Sequence, residues 1–113
     1  MTDKESAIAV LNESSEAAEF LEMTLRFQGR DEEAEAIGNR REQLMRKIEA
    51  MLAQAMGDWL QASEGLVAAM ADANRQVQAE IAEIKKGAKT AEQVVKAAGK
   101  LDQVIERATE LLA

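Results

Sequence analysis

Three carboxylates, Glu13, Glu16 and Glu19, stand at three-residue steps beside Phe20, Met23 and Phe27 in the first third of the chain. Carboxylates at such spacing have two catalytic uses: holding a metal pair inside a bundle, or serving as acid and base in a cleft. Bundle metal chemistry pairs Glu-x-x-His motifs that point into the core, and this chain has no His and no Cys. Thiolate and imidazole catalysis, disulfides and Cys/His zinc sites are excluded on the same ground. Glu13, Glu16 and Glu19 also project away from the main apolar stripe of their helix. The six glycines are scattered rather than gathered in a phosphate-binding loop. No catalytic residue, metal or cofactor is expected, and the chain reads as a non-enzyme.

The chemistry that remains is recognition. At about 100° per residue, Phe20, Met23 and Phe27 point nearly opposite to the stripe of Ile8, Leu11, Ala18, Leu21 and Leu25. They include both phenylalanines of the protein. Their i, i+3, i+7 spacing is that of anchors in helix-to-groove recognition. Phe20, Met23 and Phe27, with Glu13, Glu16 and Glu19 on neighbouring faces, are therefore the expected partner-binding residues. The opposing reading wedges this helix deeper, with both faces covered by its own bundle.

Charge narrows the partner. The net charge is −7. Residues 1–35 hold Asp3, Glu5, Glu13, Glu16, Glu19, Glu22, Asp31, Glu32, Glu33 and Glu35 against Lys4, Arg26 and Arg30, whereas acids and bases balance thereafter. Binding to nucleic acid or an anionic membrane is disfavoured, since both need concentrated Lys and Arg. The charge leaves room for a basic partner, but the plainer reading, an acidic solvated face that aids solubility, is the expected one.

These side chains must be positioned by helices. The chain has 113 residues, no Pro, few aromatics, and an abundance of Ala, Leu, Glu, Gln and Met. An all-α single domain over residues 1–113 is expected, long enough for a real core. The central stretch carries Leu60, Val67, Met70, Val77, Ile81, Ile84 and Ala88 on one stripe, interrupted by Ser63 and Asn74. Leu66, Ala69 and Ala73 broaden it, so this helix should face more than one neighbour.

In order, Thr2 and Glu5 have capping-box spacing, and Gln28-Gly29-Arg30 stops the first helix. Asp31 is expected to cap a second, with Glu32, Glu33 and Glu35 near its positive end, and with Ile37, Leu44, Ile48, Met51 and Ala55 as its seam, widened by Met45, Leu52 and Met56. The seam slips at Gly57-Asp58, where Asp58 and Gln61 form another capping pair. Thr90 and Gln93 open a last helix whose heptad runs Val94, Ala98, Leu101, Ile105, Ala108 and Leu112. Helices over about 3–28, 31–56, 58–86 and 90–112 predict an antiparallel up-down-up-down four-helix bundle with coiled-coil-like seams. The alternative is one long helix over 31–87, about 80 Å, with shorter flanking helices in a dimer. Trp59 is expected to plug one end of the bundle.

A reversal at Gly57-Asp58 would set Arg41 level with Asn74. The pair is expected to hydrogen-bond as a register pin, and Asn74→Leu to raise stability while loosening register. Function is then expected to be that of a non-catalytic protein–protein interaction module of inhibitor, immunity, adaptor or chaperone type. The alternative is a self-assembling structural protein forming a homo-oligomer. No apolar run of signal or membrane length opens the chain, so a cytoplasmic protein is expected, or one exported without a cleaved signal peptide.

Overall fold

Gly29 takes a φ of 74° and ends the first helix in a two-bond stop. The Arg30 N–H donates to the Leu25 carbonyl at 2.9 Å, and the Gly29 N–H donates to the Arg26 carbonyl at 3.1 Å. The Ala34 N–H then donates to the Arg30 carbonyl at 3.0 Å, so Arg30, not Asp31, occupies the cap of the next helix. Asp31, Glu32 and Glu33 lie within its first turn, near the positive end of the helix dipole.

The computed structural model describes residues 3–53, 63–86 and 90–112, which form four helices. These are α1 (Asp3–Phe27), α2 (Asp31–Ala53), α3 (Ser63–Lys85) and α4 (Thr90–Leu112). The bundle is 46 Å long and 20 Å across. Leu60, Trp59, Ala55, Met56, Ala88 and the Gly57-Asp58 slip lie outside the described residues.

Direction follows from cross-helix contacts. Glu22 of α1 meets Arg41 of α2, whereas Asn12 and Ser15 face Ile48, so these two helices run antiparallel. Ser14 meets Asn74 and Phe20 meets Lys85, so α3 runs parallel to α1. Helices α2 and α3 thus oppose one another, which rules out a single long helix through both. Strong packing joins α1 to α2 and α3 to α4. The two hairpins meet through α1 with α3 and α2 with α4, leaving α2 and α3 across the diagonal.

That diagonal corrects the expected Arg41–Asn74 pin. Arg41 turns to α1 and donates from Nε to Glu22 Oε1 at 3.2 Å. Asn74, only 3% exposed, is held by Ser14 and Glu13 of α1 instead.

Leu11, Leu21, Leu25, Ile37, Leu44, Met51, Met70, Val77, Leu101 and Val104 form the fully buried centre. The broad α3 stripe serves two neighbours, α1 and α4. Ala7 replaces Ile8 as the buried residue of the first α1 turns, and Ile48 is only half-buried. Gln93 Oε1 is buried without a hydrogen-bond partner, and the Thr90 side chain of the expected capping box lies outside the described residues. No helix among the described residues is long and apolar enough to cross a membrane.

Candidate functional site

The outer face of α1 is where apolar side chains meet water. Phe27 is 88% exposed and Met23, one turn earlier, is 53% exposed. Their spacing of four residues brings them together beside Arg26 in one shallow depression. Arg26 is not free to cover the ring, because its Nη2 donates to Glu22 Oε2 at 3.1 Å.

Phe20 takes a different position. It is half-buried and packs against the core from the α3 side. The Lys85 ammonium sits 4.9 Å from its ring centroid, within cation–π range. The anchors expected on one face are thus divided, with Met23 and Phe27 facing outward and Phe20 at the α1–α3 seam.

The acids are divided as well. Glu13 is exposed at its edge but oriented from below: Asn74 Nδ2 donates to its Oε2 at 2.8 Å. Asn74 Oδ1 in turn accepts the Ser14 hydroxyl at 2.7 Å and Gln78 Nε2 at 3.4 Å. A buried amide thereby aims a surface carboxylate. Glu16 and Glu19 are exposed and pair with no base among the described residues. Glu22, by contrast, is taken up by Arg26 and Arg41 and lies against the Gly38 backbone of α2.

An open groove of about 400 Å³ runs along the α1–α3 seam. Glu13 and Glu16 stand at one end, Ala17 and Ile81 form its floor, and Phe20 with Lys85 closes the other. Its parts arise from helix phase. Residues 13, 16, 17 and 20 repeat at three- and four-residue steps on α1, as do 78, 81 and 85 on α3. Gln78 and Lys85 were not among the residues expected from sequence to matter. The signal present was Lys85 one turn beyond Ile81, which reads on its own as an ordinary basic helix end.

Among the described residues no three acidic side chains converge to hold a metal ion. The groove thus sets two carboxylates, one ammonium and an aromatic ring around an apolar floor. No protein-family model, curated protein or solved structure matches the chain.

Proposed function

We propose that the chain is a non-catalytic protein–protein interaction module, of inhibitor, immunity, adaptor or chaperone kind, that binds another protein through the outer face of α1. The observation that carries this reading is Phe27, left 88% exposed beside half-exposed Met23. Burying such a ring at an interface contributes about 1.5–3 kcal/mol, which the free bundle leaves unused. An i, i+4 aromatic–methionine pair is also a compact anchor for a groove on another protein.

Self-assembly through the same face is the rival, and charge weighs against it. A net charge of −7 on each copy makes two like-charged chains repel as they approach. A net charge of −7 likewise opposes nucleic acid as the partner. The cytoplasmic setting, or export without a cleaved signal peptide, remains part of the proposal, and fractionation of the source cells tests it.

Two experiments test the reading. Sedimentation at several concentrations should give a monomer throughout, and a concentration-dependent oligomer would favour the rival. Affinity capture from the source cells should retain a protein that is lost with a Met23→Ser/Phe27→Ser bait. Equal capture by both baits would sink the assignment of the face.

A further inference from the structure

We infer that the α1–α3 groove is a receptor for an arginine or lysine side chain of the partner, so that the protein bound through α1 presents a basic amphipathic helix. This rests on the reading of α1 as the contact element, and adds to it the chemistry of the partner.

The groove already holds a cation. Lys85 lays its ammonium 4.9 Å from the Phe20 ring centroid. It has no carboxylate partner among the described residues, although Glu16 lines the same groove. An aromatic face with carboxylates nearby is the surrounding that a guanidinium or ammonium recognises. Glu13 is oriented for that role by Asn74 Nδ2 at 2.8 Å, an amide that is itself 3% exposed. Holding the carboxylate beforehand reduces the ordering that binding would otherwise require.

Charge complementarity points the same way. The bases that follow on α1 and its stop are committed, Arg26 to Glu22 and Arg30 to Glu33. Glu16 pairs with no cation among the described residues, and the groove carries two carboxylates against one ammonium. Beyond Phe20 the surface continues into Met23 and Phe27 on the next turns of α1. The fitting occupant is a helix whose basic residue meets Glu13 and Glu16 while its apolar stripe covers Met23 and Phe27. Lys85 acts as the resident competitor that a stronger cation displaces from the ring.

The test is a titration of the full chain with a synthetic amphipathic helical peptide, a leucine stripe flanked by arginines, followed by NMR. Signals of Glu16, Phe20 and Lys85 should shift together with those of Met23 and Phe27. Glu16→Gln should weaken binding about threefold, the range of an exposed ion pair, and Lys85→Gln should tighten it by a similar factor. Glu106→Gln, the same charge change on α4, should leave affinity unchanged. A peptide with glutamates in place of the arginines should not bind the groove.

Shifts confined to Met23 and Phe27 would overturn the groove assignment while leaving the α1 reading intact. Equal weakening by Glu16→Gln and Glu106→Gln would reduce the effect to net charge and overturn it. Spermidine moving the same groove signals while the peptide does not would assign the site to free polyamines instead.

Discussion

The Ser14 hydroxyl donates a 2.7 Å hydrogen bond to the Asn74 side-chain carbonyl across the α1–α3 seam, inside an otherwise apolar layer. Both residues are buried, and they join helices that are parallel neighbours rather than sequential ones. A polar pair at one level of an apolar seam penalises every other register, since slipping by one turn parts the two groups and sets each against apolar neighbours.

The pair reverses the sign expected for Asn74→Leu from sequence alone. Removing only the amide leaves the Ser14 hydroxyl buried without that partner, at about 1–3 kcal/mol. Asn74→Leu is therefore expected to lower stability by about that amount. Ser14→Ala/Asn74→Leu, which removes both polar groups, should recover most of the loss. Urea denaturation of the three proteins checks this. A single mutant more stable than wild type would contradict the pairing.

Two helical glycines should answer unequally to alanine. A Cβ at Gly99 meets open space, so Gly99→Ala should stabilise by about 0.5–1 kcal/mol. A Cβ at Gly38 would lie 2.7 Å from Glu22 Oε2, and Arg26 and Arg41 hold that carboxylate in place. Gly38→Ala should fall short of the Gly99→Ala gain, and should regain it in a Glu22→Ala background. Equal gains in both single variants, read from denaturant midpoints, would show that Glu22 moves freely.

The two phenylalanines should separate in the same assay. Phe20 packs against the core, so Phe20→Ala should cost about 1–2 kcal/mol, less than for a fully buried ring. Phe27→Ala should stay within about 0.5 kcal/mol of wild type, as at an ordinary surface site. A large loss at Phe27 would return that ring to the monomer's own core.

Much of the fold was legible because helical signals are local. Gly29 marked the first stop through its freedom at positive φ, and the α4 heptad placed Val94, Leu101, Ile105 and Ala108 correctly in the core. The breadth of the α3 stripe foretold two neighbours. Which neighbours they would be was not legible, because periodicity gives each helix a face but not its place in the square. Arg41 was paired with Asn74 on the assumption that sequential helices are adjacent, and the diagonal placement of α2 and α3 breaks it. Ser14 stood on the seam between Leu11 and Ala18 all along, a position that makes it Asn74's natural partner. Phe20 shares its helical face with Met23 and Phe27, and only the arrival of α3 with Lys85 draws it to the seam. The carboxylates were readable as exposed; that Asn74 orients Glu13 and not Glu16 depends on α3 register.

If another protein covers the outer face of α1, hydroxyl-radical footprinting of the captured complex will register it residue by residue. Met23 and Met45 are an internal pair, on α1 and α2, exposed to 53% and 46% in the free bundle. Oxidation of Met23 and Phe27 should fall severalfold on complex formation while that of Met45 stays at its free rate. Loss of reactivity at Met45 with Met23 and Phe27 still fully reactive would place the partner elsewhere and contradict the account.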